Sequence, residues 1–184
     1  FLTERPEFVG FEGYLFPDTY RAFADATVAD IVRKMLSHFD AQMTPALREE
    51  IAANGRTLHQ VITMASIIEK EVADDAARAI VSDILWKRRD GGWLLQADST
   101  VNYITGKSDA RTLLADHTTE SSFNTYKYAG LPRGPISNPG MASILAAIRP
   151  EPSPYWFFLT AQDGTVHYAR SLDEHNANVA RYLR

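Results

Sequence analysis

Cysteine is absent from the sequence, which excludes a disulfide framework, a thiolate nucleophile and zinc sites built from cysteine. Basic residues are not in excess, because 19 Lys and Arg stand against 23 Asp and Glu, for a formal net charge of −4. A nucleic-acid-binding domain shows the opposite balance. Long apolar runs are also missing: none reaches the roughly 18 residues of a membrane span, and no signal-peptide pattern opens the chain. We therefore expect neither a nucleic acid as partner nor a membrane span within these residues.

Apolar side chains are frequent enough to build a core, since 45% of the 184 residues are hydrophobic and 11% are aromatic. A chain of this length buries roughly 70% of the surface that it exposes when unfolded. The sequence shows no internal repeat, no low-complexity tract and no linker. We therefore expect residues 1–184 to form a single domain, and the start at Phe1 rather than Met is typical of a piece of a longer protein.

Helical spacing of apolar residues, with capping residues before and glycines after, predicts eight helices. The expected ranges are 28–39, 45–53, 57–72, 76–89, 98–103, 109–115, 138–148 and 172–184. Asp98 is the expected N-cap of the fifth helix, and Asn138 with Pro139 is expected to begin the seventh.

Strands are expected near both ends of the chain. Residues 8–16 are rich in aromatic side chains and predict one or two short strands that end at Pro17 and Asp18. Residues 155–159 and 166–169 flank an Asp-Gly turn, which predicts a hairpin. The fold class that follows is α+β: helix-rich, with short antiparallel strands near both chain ends.

One acidic residue falls on the apolar face of the predicted 57–72 helix. At about 100° per residue, Glu69 lies inside the apolar arc of this helix. That arc consists of Leu58, Val61, Ile62, Ala65, Ile68 and Val72, and the opposite, solvated face is expected to hold His59, Thr63, Ser66 and Lys70. Glu71 falls on the margin, and we interpret it, like Glu50, as an ordinary surface charge.

The apolar setting of Glu69 suggests a chemical role. A carboxyl group among aliphatic neighbours loses hydration, which penalises its charged form. We therefore expect Glu69 to hold a proton near neutral pH and to deliver it as a general acid. The alternative is that Glu69 is paired with an Arg or Lys from another element, or is solvated at the edge of a cleft.

Sequence blocks that extend from about residue 11 to residue 176 resemble one known family. The block around Glu69 reads Met64-Ala65-Ser66-Ile67-Ile68-Glu69-Lys70-Glu71, and the other blocks are residues 12–20, 95–101, 123–126, 130–140 and 174–175. In this order they resemble the YceG-like (MltG) family of endolytic murein transglycosylases. Ala97 and Ser99 stand where the family pattern has Ser and Pro, which puts the details of that loop in doubt.

The resemblance implies an activity and a catalytic residue. Family members cleave the β-1,4 bond between N-acetylmuramic acid and N-acetylglucosamine without water and leave a 1,6-anhydro ring. Glu69 matches the family's catalytic acid, which protonates the glycosidic oxygen and then takes the proton of the attacking C6 hydroxyl. Because this nucleophile belongs to the substrate, one carboxylate suffices, whereas an ordinary glycosidase needs two, about 5 to 9.5 Å apart.

Polar and aromatic residues of the other blocks are the expected substrate-binding set. They are Glu12, Tyr14, Tyr20, Gln96, Asp98, Ser99, Asn124, Tyr126 and Asn138, with Tyr128 as a further stacking residue. Asp98 and Asn138 are alternatively helix caps only, the tyrosines core or rim residues, and residues 130–140 a rigid connector rather than a cleft wall. The five histidines show no metal-ligand spacing, so we expect no metal and no cofactor.

The resemblance also implies context and leaves two alternatives open. It implies a single YceG-like catalytic domain, preceded in the family by a membrane anchor and a small LysM-like subdomain, on the extracytoplasmic (periplasmic) face of the bacterial cytoplasmic membrane. Its expected partners are peptidoglycan glycan strands and peptidoglycan synthases. The first alternative is a hydrolytic muramidase, with Glu12, Asp18 or Asp98 as second carboxylate. The other is a non-catalytic glycan-binding or cell-wall-synthesis scaffold.

Overall fold

The computed structural model describes residues 5–7, 9–107 and 112–183, which contain seven α-helices and two strands. The elements in chain order are α1 (Val28–Gln42), α2 (Pro45–Ala53), α3 (Leu58–Glu71), α4 (Asp75–Asp90), α5 (Asp98–Thr105), a 3₁₀ turn (Asp116–Thr118), α6 (Met141–Ile148), β1 (Phe157–Thr160), β2 (Val166–Ala169) and α7 (Leu172–Tyr182). The helix-rich α+β class is confirmed. No described helix combines the length and the apolarity that crossing a bilayer demands.

The sheet is the predicted C-terminal hairpin. Its two strands pair antiparallel, with Phe157 opposite Ala169 and Thr160 opposite Val166. Gly164, with φ +85°, lies in the connecting turn, as the Asp-Gly signal predicts.

The strands expected near the N-terminus do not form in the part that is described. Phe8 lies outside the described residues, and residues 9–26 are turns, bends and irregular backbone. The Tyr14 N–H closes a turn on the Phe11 carbonyl, and the amides of Gly13 and Leu15 donate to the side chain of Asn138. These amides therefore have side-chain or turn partners in place of a neighbouring strand.

In the first half of the chain the helix starts agree with the expected ranges to within one residue. Thr27 and Thr57 both form complete capping boxes, and the side chain of Asp74 caps α4. The predictions for α5 and α6 are wrong: Asp98 is the first helical residue of α5 rather than its N-cap, and α6 begins at Met141 rather than near Asn138. Of the predicted helix 109–115, residues 109–111 lie outside the described residues and 112–115 are not helical.

Helix α3 is the centre of the core. It packs against α2, α4, α5 and α6, and its residues 61–68 are all buried. Thr63 and Ser66, which we expected on a solvated face, are 1% and 0% exposed. The loop before α6 covers that face, because Ile136 N–H donates to Ser66 Oγ at 3.0 Å. Amphipathic patterning cannot anticipate a helix that is covered on both sides.

Candidate functional site

The candidate site is built around Glu69, in the last turn of α3. This side chain is half-buried, and its Oε2 accepts hydrogen bonds from the Gly140 N–H at 3.2 Å and from Ser143 Oγ–H at 2.7 Å. Among residues 5–7, 9–107 and 112–183, no Lys, Arg or His forms an ion pair with it. The ion-pair alternative for Glu69 therefore finds no partner in the described part of the chain.

Glu69 contacts the N-terminus of α6 from another helix. Gly140, the N-cap of α6, has no side chain that could cap the helix. The carboxyl group of Glu69 accepts the N–H of Gly140 and the hydroxyl of Ser143, the third residue of α6, at the end of the helix where the macrodipole favours negative charge. Both hydrogen bonds reach Oε2, and Oε1 has no partner among the described side chains and amides. The carboxyl group is thus oriented through one of its two oxygens.

The loop that precedes α6 and ends at Gly140 is hydrogen-bonded to α3 and to the opening segment around Gly13. Ser137 Oγ–H donates to the Ser66 carbonyl at 3.0 Å, one turn before Glu69. Asn138 Oδ1 accepts from the Gly13 N–H at 2.7 Å and from the Leu15 N–H at 3.3 Å. Asn138 is therefore a connector between two of the sequence blocks, and its position relative to Glu69 follows from these bonds.

Gly13 is required where the opening segment meets this loop. Its φ is +88°, and a Cβ added there would lie 2.4 Å from Pro135 Cγ and 2.9 Å from Ile62 Cγ2. We expect Gly13→Ala to lower the free energy of unfolding by about 3 kcal/mol or more, because backbone strain and overpacking add. Urea denaturation measures the change.

Gly130→Ala is the matched control, since Gly130 has φ +94° but no atom within 4 Å of an added Cβ. It should cost only the backbone strain, about 1 to 2 kcal/mol. Equal losses in the two variants would show that the close packing of Gly13 contributes nothing.

A second carboxyl group, Glu71, is not the surface charge that we expected. It is half-buried, and its Oε1 accepts a hydrogen bond from the Ser99 N–H at 3.1 Å. Burial raises the pKa of Glu71, and the nearby charge of Asp98 acts in the same direction. Glu50, by contrast, lies at the surface in a bidentate ion pair with Arg149, which lowers the pKa of Glu50.

The raised pKa of Glu71 predicts a pH-dependent contribution to stability. The folded state binds this proton more tightly than the unfolded chain, so the contribution is present below the ordinary carboxyl pKa of 4.5 and is lost as the pH rises through the raised value. We expect Glu71→Gln to remove this loss, so that the variant gains stability relative to wild type as the pH rises above 4.5. Denaturation at several pH values measures the difference.

Glu50→Gln is the control for that experiment, because the lowered pKa of Glu50 gives its contribution the opposite pH dependence. Relative to wild type, this variant should lose stability as the pH rises. A Glu71→Gln difference that is flat with pH, or that has the sign of the Glu50→Gln difference, contradicts the burial of a titrating Glu71.

Asp98 is the centre of a second polar cluster. Its Oδ1 accepts from Thr112 Oγ1–H at 2.5 Å and from the Tyr126 hydroxyl at 2.7 Å. The ring of Tyr126 stacks on His117 with a centroid distance of 3.7 Å. Burial and the hydrogen bond to Asp98 both raise the pKa of Tyr126, so this hydroxyl stays a donor. The predicted pair Asp98 and Tyr126 therefore comes together, with Ser99 and Glu71 beside it.

Two of the predicted substrate-binding residues serve the fold instead. Tyr14 is 1% exposed, and its hydroxyl donates to Nδ1 of His59 at 2.9 Å. Asn124 is also 1% exposed, and its amide donates to the carbonyls of His117 and Thr119. Neither side chain has surface for a sugar to contact.

The remaining predicted residues are half-buried or exposed. Glu12 accepts from the Tyr103 hydroxyl at 2.6 Å, which is the main reason that the pKa of Tyr103 rises to about 12. Tyr20 donates to the Phe16 carbonyl, and Gln96 is exposed with φ +54°. Tyr128 is exposed and donates to Glu120, and Asp18 lies 3.0 Å from His38. None of these side chains hydrogen-bonds to the carboxyl group of Glu69.

Sequence reasoning missed Gly140 and Ser143, the two donors to Glu69. Ser143 had a signal, because it is the one polar residue in the otherwise apolar segment Met141–Ile148. It is 0% exposed, so its hydroxyl needs a buried partner. Gly140 had no such signal, since its contribution is a backbone N–H.

Two open cavities in the described part of the chain are lined by residues other than Glu69. One, of about 660 Å³, lies between the start of α4 and the hairpin turn, and the other, of about 420 Å³, is lined by Glu120, Ser121, Ser122 and Tyr128. Across the described ranges, no group of three or more acidic or histidine side chains is arranged to hold a metal ion. Glu69 itself is half-buried.

Known proteins resemble this chain over nearly its whole length. The sequence profile of the YceG-like family matches residues 3–181. An endolytic murein transglycosylase of Bacillus subtilis is 36% identical over 173 residues, which are 94% of this chain and 48% of the relative. One of Streptococcus pneumoniae is 30% identical over 178 residues, 94% of this chain and 32% of the relative.

A solved structure shares the fold. A yceG-like protein of Listeria monocytogenes is 34% identical and superimposes with a TM-score of 0.87, covering 96% of this chain and 58% of that protein. The chain therefore spans about half of the Bacillus relative, about a third of the pneumococcal one and somewhat more than half of the Listeria protein.

Proposed function

The chain belongs to the YceG-like family, and from that premise we propose that it is the catalytic domain of an endolytic murein lytic transglycosylase. The reaction is cleavage of the β-1,4 bond between N-acetylmuramic acid and N-acetylglucosamine without water. Its products end in 1,6-anhydro-N-acetylmuramic acid. The observation that carries the proposal is the oriented carboxyl group of Glu69: Oε2 is held by Gly140 and Ser143, and among the described residues no cation pairs with this side chain and no donor reaches Oε1.

Glu69 performs two proton transfers in this mechanism. As an acid it gives the proton on Oε1 to the glycosidic oxygen, so that the bond to C1 breaks and the N-acetylglucosamine hydroxyl leaves. The carboxylate that remains is stabilised by the Gly140 N–H and the Ser143 hydroxyl. It then takes the proton of the C6 hydroxyl as that oxygen bonds to C1. The two proton transfers balance, so Glu69 carries a proton at the end of the reaction as it did at the start.

The carboxylates expected for the hydrolytic alternative already have partners in the fold. Asp98 accepts from Tyr126 and Thr112, Glu12 accepts from Tyr103, and Asp18 lies 3.0 Å from His38. A hydrolase needs a second carboxylate that positions a water or attacks the sugar. The proposed lyase does not, because the C6 hydroxyl is held next to C1 by the substrate itself.

The setting of the enzyme belongs to the same proposal. The domain acts on glycan strands at the extracytoplasmic face of the bacterial cytoplasmic membrane, joined in the full-length protein to an anchor and a LysM-like subdomain. Synthases of the same polymer are the proposed protein partners, because an endolytic cut in a growing strand sets the strand's length.

The test is digestion of purified glycan strands followed by mass spectrometry of the new ends. The proposal predicts 1,6-anhydro ends inside the strand, each one water lighter than a reducing end. Reducing ends would support the hydrolytic muramidase. Binding without any cleavage would support the scaffold alternative.

A further inference from the structure

Helix α5 lacks a cap of its own, and its N-terminus faces the end of α3. Its N-cap residue is Ala97, which has no side-chain hydrogen bond to offer. The N–H of Ser99, in the first turn, donates to Oε1 of Glu71 at 3.1 Å. Glu71 thus supplies a cap for α5, and Glu69 accepts the N-cap amide of α6. Two glutamates two residues apart each contact the N-terminus of a different helix.

Glu71 is itself held in place from the other side. Its backbone carbonyl accepts from Thr160 Oγ1–H in β1 at 3.0 Å, and its side chain is half-buried. The α3 residue before it, Lys70, is exposed. A carboxyl group with this support is a fixed acceptor, and its oxygen receives the Ser99 N–H whether or not the other oxygen carries a proton.

The turn that Glu71 holds contains predicted substrate-binding residues. Gln96, Asp98 and Ser99 all lie in or next to the first turn of α5. Its upstream end is fastened to Thr125, because the Gln96 and Ala97 amides donate to the Thr125 carbonyl and hydroxyl at 3.1 Å each. Glu71 therefore joins this turn to the helix of Glu69 by a direct hydrogen bond, in addition to the packing of α5 against α3.

We propose that Glu71 is a positioning residue, which fixes the Gln96–Ser99 turn relative to Glu69 through the Ser99 amide so that a glycan strand is held at the acid. This inference rests on the proposed function for its substrate. The tether itself is a separate structural statement that can be measured without any activity.

The test compares Glu71→Ala, Glu71→Gln and the control Lys70→Gln, which removes a charge from the neighbouring exposed position. Amide hydrogen exchange, followed by NMR, measures the hydrogen bond between the Ser99 N–H and Glu71. Glu71→Ala should speed exchange of the Ser99 N–H by about ten-fold or more. Exchange of the Gly140 N–H should stay within about two-fold of the wild-type rate. Glu71→Gln keeps an acceptor oxygen and should restore protection of Ser99. Lys70→Gln should change neither amide.

Steady-state kinetics with glycan strands as substrate test whether Glu71 positions the binding turn. Glu71→Ala should raise KM by about five-fold or more with kcat changed by less than about two-fold, because the binding turn is displaced while Glu69 keeps its own donors. Glu71→Gln should bring KM back towards the wild-type value. A merely structural loss lowers the amount of active enzyme, and so lowers apparent kcat with KM unchanged.

Three outcomes would overturn the inference: unchanged exchange at Ser99 in Glu71→Ala, a fall in kcat without a rise in KM, or no rescue by Glu71→Gln. Failure of the proposed function looks different, because wild type itself would then produce no anhydro ends. In that event the exchange of the Ser99 amide alone decides whether the tether exists.

Discussion

Glu69→Gln lowers the rate of glycan-strand cleavage by a factor of about 10³ or more, if one carboxyl group performs both proton transfers. The amide side chain has nearly the same volume, and its oxygen can still accept from the Gly140 N–H and the Ser143 hydroxyl. It can neither protonate the glycosidic oxygen nor take the proton of the C6 hydroxyl. The measurement is the appearance of new strand ends with time.

Folding and binding are the controls for this variant. Glu69→Gln should unfold at a temperature close to that of wild type and should still bind strands in a sedimentation assay. Glu50→Gln, at the surface ion pair with Arg149, should cleave at the wild-type rate. A Glu69→Gln protein that cleaves within about ten-fold of wild type cannot have lost its acid and base together.

Ser143→Ala has the second largest expected effect on activity. Its hydroxyl gives the shorter of the two hydrogen bonds to Glu69 Oε2, at 2.7 Å. A hydrogen bond to a charged group is worth about 1.5 to 3 kcal/mol, so its loss should lower kcat by about 10-fold to 150-fold. KM should change little, because the hydroxyl is buried and does not reach a strand. Initial rates over a range of strand concentrations separate the two parameters.

Ser137→Ala is the matched control for Ser143→Ala. It removes a hydroxyl from the same stretch of chain, but that hydroxyl donates to the Ser66 carbonyl rather than to Glu69. Its kcat should stay within about two-fold of wild type. If both variants lose activity equally, the effect belongs to the loop as a whole and not to the carboxyl group of Glu69.

The helices of the first half could be predicted because their signals are local. Thr27 and Thr57 cap helices through residues three positions further on, and the apolar spacing of α3 placed Glu69 towards the protein. The prediction of strands in the opening segment, residues 8–16, was wrong because the hydrogen-bond partners of this segment are distant in sequence. Gly13 and Leu15 bond to Asn138, more than 100 residues away, and no local pattern contains that information.

The predicted N-caps of α5 and α6 were wrong for the same reason. Asp98 and Asn138 are good capping residues, but at these two helix ends Glu71 of α3 accepts the Ser99 N–H and Glu69 accepts the Gly140 N–H. A cap supplied by another helix is a tertiary contact. It depends on where α3 ends relative to α5 and α6, and the periodicity of one helix does not report that.

The candidate site was predictable in its central residue and not in its surroundings. Glu69 stands out because an acid in an apolar arc is costly unless it is partnered, and the structure supplies Ser143 and Gly140 as partners. Glu71 lies on the margin of the same arc, where a wheel projection cannot separate a surface charge from a contact with α5. Tyr14 and Asn124 have the residue types of a sugar site, but burial decides their role.

Cleavage of glycan strands in ¹⁸O-labelled water tests most directly whether Glu69 works with the C6 hydroxyl rather than with water. The account predicts that new ends carry no label, that their N-acetylmuramic acid is in the 1,6-anhydro form, and that they disappear in Glu69→Gln. Labelled reducing ends from the wild-type protein would contradict it, because they require a water molecule at C1.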